Sequence, residues 1–161
     1  MVLWPAGMAL VAVWLVFRDP AIDHRVVMLG AVLPDLVELP LGGARLLHTV
    51  AFGATLLAVV MLATRGRRAA RRRWIFVPVG ILLHLVFDGM WARTETFWWP
   101  AFGSGFGDAL PALDHAAALL VVQEMAGAVA LVWFWHRFRL ADPAVRAAFL
   151  RTGRTPRDIA A

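Results

Sequence analysis

His84 and Asp88 stand four residues apart inside ILLHLVFDGMW, residues 81–91, a run that is otherwise apolar. On a helix, positions i and i+4 share a face, so the imidazole and the carboxylate converge on one point. Together they offer two ligands for a divalent cation such as zinc. The same pair could equally be a hydrogen-bonded tie between helices. Ionisable groups within lipid-exposed helices are costly and mark sites, and that favours the metal reading here.

Other residues can complete such a set. Asp35 and Glu38 lie in VVMLGAVLPDLVELPLGG, residues 26–43, and His48 lies near the start of RLLHTVAFGATLLAVVMLAT, residues 45–64. The chain has no cysteine, so a metal must be held by His, Asp and Glu. Asp35, His48, His84 and Asp88 are the candidate ligands, a set that suits Zn²⁺, or Mn²⁺ where oxygens dominate. Glu38 shares a face with Asp35 if local helix continues, and it is the candidate general base for a metal-activated water. Asp35 could instead cap the turn after Pro34, and His48 could hydrogen-bond a helix end beside Thr49. Asp23 and His24, in the polar loop RDPAIDHR, are possible further ligands. Glu124, inside the last apolar run, is a candidate partner for the His84 ring. Asp114, next to His115, is a candidate cap for that last helix.

The elements that position these groups are strongly apolar. Of 161 residues, 61% are hydrophobic, against roughly 45–50% in soluble domains, and the mean hydropathy is +0.70. Apolar runs at residues 2–17, 45–64, 74–92 and 116–135 approach the ~20 residues that cross a bilayer as helix. The first run lacks a basic leader and a small-residue cleavage site, so it reads as a retained helix. Pro34 and Pro40 interrupt residues 26–43, which predicts a half-helix that breaks at LPD and dips partway into the membrane. The expected fold is all-α and polytopic: about four transmembrane helices plus one broken, re-entrant half-helix over residues 1–136, followed by a basic tail, 137–161.

The formal net charge is +5 and every basic side chain is arginine. These arginines flank apolar runs, so their role is topological and no nucleic-acid partner is expected. RGRRAARRR at 65–73 and the tail are placed in the cytoplasm, in a multi-pass protein of a bacterial-type inner membrane. The loop 93–115 then lies outside, where Trp98 and Trp99 read as interfacial aromatics that could orient an amphipathic substrate. At ~1.5 Å per residue, Asp88 falls roughly 6 Å below the outer end of its helix and His84 roughly 12 Å. Asp35, Glu38, His48 and Glu124 collect in the same outer layer.

GAVLPD (30–35), LLHTV (46–50), HLVFD (84–88) and FWWP (97–100) follow one another in an informative order. Over roughly residues 25–100 the chain resembles the YdjM-type family of inner-membrane, metal-dependent hydrolases, also labelled LexA-binding. That family's pattern is an LPDxDH segment, a THS-type His, an HLLxD helix and a downstream aromatic–Pro stretch. More distantly the chain is similar to zinc-dependent phospholipase C, which shares the LPD and HxxxD elements. The resemblance implies metal-site roles for Asp35, His48, His84 and Asp88. Two departures thin the ligand set and argue against a second metal. Pro5 and Ala6 stand where the family carries an early His, and Val37 and Glu38 replace the DH of LPDxDH.

The leading expectation is therefore hydrolysis of an ester or phosphoester, such as one in a lipid, by metal-activated water at the outer membrane surface. One alternative is a non-enzymatic membrane protein with a structural metal or a helix-gluing polar cluster. A small carrier would need polar access from both faces, and the apolar inner halves of the spans count against it.

Overall fold

A computed structural model of the chain describes residues 1–103, 106 and 116–159. The region containing Asp114 and His115 lies outside the described residues, so the capping role expected of Asp114 does too. The described chain is helical throughout, with no strand among the described residues.

Helix α1, Leu3–Phe17, carries Pro5 in its first turn, where no backbone donor is lost. Helix α2, His24–Glu38, begins at Asp23, whose side chain accepts from the Arg25 amide. The expected break at LPD does not occur. Helix α2 runs through Pro34 and stops only at Glu38, where a 3-10 turn, Leu39–Leu41, and Gly42 redirect the chain. An interior proline costs about 3 kcal/mol through one lost bond and a crowded turn. Burial of α2 between α1 and α5 offsets that cost, with Val27 and Ala31 fully enclosed.

Helix α3, Val50–Ala63, is capped by Thr49, which accepts from the Phe52 amide at 3.0 Å. His48 falls one residue earlier, in the 3-10 turn Leu46–His48, and so precedes its helix. Helix α4, Arg68–Trp74, leads almost directly into α5, Phe76–Phe87. Asp88 then forms the C-cap and Gly89, at φ 70°, ends the helix. A 3-10 turn, Met90–Ala92, and the short α6, Thr94–Phe97, follow. Helix α7 is Ala117–Arg137, and α8, Pro143–Thr152, starts on Asp142 with proline in its first turn.

Two close helix crossings set the packing. Helix α1 lies against α7 where a Cβ on Gly127 would fall 2.3 Å from the Leu3 backbone. Helix α2 lies against α5 where a Cβ on Gly30 would meet the Val77 carbonyl at 2.3 Å, and one on Gly80 the Val27 carbonyl at 2.5 Å. Beyond the crossings, Leu10, Val13, Trp14, Phe76, Phe134 and Phe138 form the main core. The Phe138 ring is held between Trp14 and Phe134, at centroid separations of 4.6 and 4.5 Å.

The tail is docked onto this body. Phe149 of α8 joins the core, Gly153 accepts from the His24 amide at 2.9 Å, and the Thr155 amide donates to Pro20 at 3.1 Å. Among the described residues only α7, 21 residues with mean hydropathy 1.9 over its most apolar window, is long and apolar enough to cross a bilayer. Helices α1 and α3 are apolar but shorter.

The α2–α5 crossing carries the residues on which His84 and Asp35 depend. Gly80→Val is expected to overpack it and destabilise the protein by about 1–3 kcal/mol. A thermal unfolding midpoint equal to wild type, measured in detergent, would contradict the close approach.

Candidate metal centre

Three separate elements deliver the four candidate ligands to one place. Asp35 comes from the last turn of α2, His48 from the turn before α3, His84 from the last turn of α5, and Asp88 from the cap of α5. One ligand atom from each lies within 4.8 Å of all the others. The cluster is enclosed: both histidines are 0% exposed, Asp88 3% and Asp35 5%.

Hydrogen bonds outside the cluster fix how both rings face. His84 Nδ1 lies 2.7 Å from the Ala31 carbonyl, which can only accept, so Nδ1 carries the hydrogen. Ala31 sits three residues before Pro34 in α2. His48 Nδ1 lies 2.7 Å from Glu38 Oε2 and donates to it in the same way. Each ring is thus left with Nε2 turned inward, and the two Nε2 atoms are 3.2 Å apart. With both imidazoles neutral, two lone pairs oppose each other there.

The carboxylates add to the conflict. Asp35 Oδ1 is 3.5 Å from His48 Nε2 and 3.7 Å from His84 Nε2, and Asp88 Oδ2 is 3.9 Å from His84 Nε2. Both of these oxygens are buried without a hydrogen-bond partner. The second Asp35 oxygen, Oδ2, accepts from the Met1 amino group at 2.7 Å. Buried, unpartnered acceptors are costly. A divalent cation would remove these costs, because it would match the carboxylate charges and accept lone pairs from both rings. The spacing suits it: ligands about 2.0–2.1 Å from a tetrahedral zinc stand roughly 3.3 Å from one another. Two His and two Asp can therefore hold a metal here.

Glu38 has a different place from the general base expected of it. Its Oε2 accepts from the Arg45 amide at 2.6 Å as well as from His48, and its Oε1 accepts from the Leu47 amide at 2.6 Å. It anchors the turn that carries His48 and aims that ring. A carboxylate bonded behind a histidine in this way is the usual support of a metal ligand.

Glu124 is not hydrogen-bonded to His84. It accepts from the Val2 and Leu3 amides at 2.9 and 3.0 Å, so a carboxylate inside α7 satisfies the open amides at the start of α1. Asp23 and His24 are at the far end of α2, eleven residues and ~16 Å of helix from Asp35. His24 Nδ1 lies 3.2 Å from the Gly153 carbonyl and its ring rests on Phe134. Burial would raise the Asp23 carboxyl, but the Arg25 bonds and the nearby Arg73 charge outweigh it and hold it below the ordinary carboxylate value. Trp98 packs edge-on against Phe97 with its other side exposed, and Trp99 rests on Phe106.

Sequence reasoning did not find the Ala31 carbonyl or the Arg45 and Leu47 amides, because backbone groups carry no residue signature. No family model, curated protein or solved structure matches the chain.

Glu38→Gln turns an amide donor towards the Arg45 and Leu47 amides or towards His48. Metal affinity is expected to fall 10–100-fold, the range for lost supports of ligating histidines. Equilibrium dialysis against zinc checks this, and an unchanged affinity in a folded variant would remove Glu38 from the centre.

Proposed function

We propose that the chain is a multi-pass membrane metalloprotein that hydrolyses an ester or phosphoester at the membrane surface away from its arginines. One observation carries the metal: Asp35, His48, His84 and Asp88 meet in a buried cluster with opposed ring nitrogens and unpartnered carboxylate oxygens. A divalent cation held there, zinc or manganese, supplies Lewis acidity and eases deprotonation of water.

Membrane placement is supported by what the helices turn outward. Leu15, Val16 and Phe17 of α1, Leu29 and Leu36 of α2, Leu62 of α3, and Val121, Val122, Met125 and Val129 of α7 are all exposed. So broad an apolar surface is unusual on a water-soluble monomer and natural against lipid. The arginines of 65–73 and of the tail gather at the end of the bundle opposite the cluster, as one-sided insertion requires. The resemblance to the YdjM-type hydrolases agrees with both points and supplies the reaction class.

Within this reading the chain's own residues divide the work. Asp35, His48 and His84 hold the cation, while Glu38 and the Ala31 carbonyl orient the two rings. Asp88 has the longest reach to its neighbour and a free Oδ2, so it is the carboxylate placed to take a proton from water. The general-base role thus moves from Glu38 to Asp88. Trp98 and Trp99 follow α6, which packs against the turn that carries His48, and would help to orient an amphipathic substrate there.

A second reading has its own support. Closed four-ligand sites are structural, whereas catalytic ones keep a position open, and this cluster is almost fully enclosed. Asp88 would then be the fourth ligand. Asp88→Asn separates the two. In the hydrolytic reading, purified Asp88→Asn keeps near-stoichiometric metal by elemental analysis and loses at least 100-fold in turnover of lipid or phosphoester substrates. In the structural reading the variant loses metal and wild type turns nothing over. A folded wild type that takes up no metal on resupply, and is unaffected in this by His84→Ala, would end both.

A further inference from the structure

The second concentration of chemistry lies at the opposite end of the molecule. A cleft of about 590 Å³ opens between the 18–25 loop, α4 and the end of α8. Arg25, Arg68, Arg72, Arg73, Arg151 and Arg154 line it, and Asp23 is the only acid among its lining residues. These arginines come from three stretches far apart in the chain. One-sided membrane insertion requires arginines on one side, and it does not require them to converge on one cleft.

Their partners show how the cleft is built. Arg25 is committed to structure, with Nε and Nη2 on Asp23 at 2.9 and 2.8 Å and Nη1 on the Leu150 carbonyl at 2.6 Å. That clamp ties the end of α8 to the start of α2. The clamp is tight enough that Gly153, at φ +71°, has no room for a Cβ beside Asp23. Arg72 reaches Asp19, and Arg73 reaches Asp23 at 3.4 Å. Arg68, Arg151 and Arg154 meet no carboxylate among the described residues, and each is exposed. The fold therefore holds a surplus of guanidinium groups around one concavity, against their mutual repulsion.

We propose that this cleft binds a phosphoanion of charge −2 or greater, such as a diphosphate or a phosphomonoester headgroup. Planar guanidinium groups grip phosphate oxygens two at a time, and a basic concavity at a membrane face is a suitable receptor for such a group. A dianion is favoured because Arg68, Arg151 and Arg154 bring charge to the cleft that no described carboxylate balances. The proposal is independent of the metal centre, and holds whether or not that centre is hydrolytic. The phosphoanion can arrive in solution or as the headgroup of an anionic lipid.

The test uses the full chain in detergent micelles, titrated separately with inorganic pyrophosphate, phosphatidic acid and phosphatidylcholine, with binding read by native mass spectrometry. Two triple variants remove equal charge from the same end. Arg68→Gln with Arg151→Gln and Arg154→Gln empties the cleft, and Arg65→Gln with Arg67→Gln and Arg157→Gln spares it. The cleft variant is expected to bind at least tenfold more weakly than wild type, and the sparing variant within twofold of it. Pyrophosphate binding alone identifies a soluble ligand, and phosphatidic acid binding, with or without pyrophosphate, identifies a lipid. Binding of neither in monodisperse wild type overturns the proposal. So does equal loss in both variants, or equal binding of phosphatidylcholine.

Discussion

Two carboxylates and two imidazoles closed off from water are the constraint on which this structure turns. Each is costly to bury alone, and in an apolar bundle there is little else to satisfy them. Their mutual arrangement does so only in part, since ring nitrogens face each other and one oxygen of each aspartate is left over. A divalent cation would have the sign and size to satisfy what remains. The surrounding chain is arranged to keep it so: Glu38 and the Ala31 carbonyl take the outer nitrogen of each ring and leave the inner one to the centre.

That arrangement needs backbones closer than side chains normally allow. Gly30 and Gly80 bring α2 against α5, and the contact places His84 within reach of Ala31 and Asp35. A proline in the middle of α2 would ordinarily divide it. Here the helix is held on both sides, and the Ala31 carbonyl, three residues before Pro34, orients a ligand. Gly7 and Gly127 do the same for α1 and α7, which lets Glu124 reach the open end of α1.

The molecule is polar at both ends for different reasons. At one end the ionisable groups are few, enclosed and mutually dependent. At the other they are many, largely exposed and mostly positive, held in place by the Arg25–Asp23 clamp and by the docking of α8. Charge surplus at an exposed end is tolerated because water and counter-ions screen it. Charge surplus at the enclosed end is not, and that end must be neutralised locally.

Much of this was legible in the residues. Apolar periodless runs dictate helices, arginine clusters dictate which ends lie together, and His84 with Asp88 at i, i+4 announces a shared face. Those are local properties, and local spacing suffices to read them. Asp35, His48, His84 and Asp88 were recognisable as one set because their expected depths coincided. The tertiary structure decided what each neighbouring acid does. Glu38, Glu124 and Asp23 look alike in sequence, as carboxylates beside apolar runs. One aims a ligand ring, one caps a helix from another helix, and one clamps an arginine at the far end. Each role depends in part on backbone amides and carbonyls, which every residue carries, brought near by chain segments up to 125 positions away. Only the folded chain specifies which of those groups meet, and so only the fold distinguishes a ligand from its support.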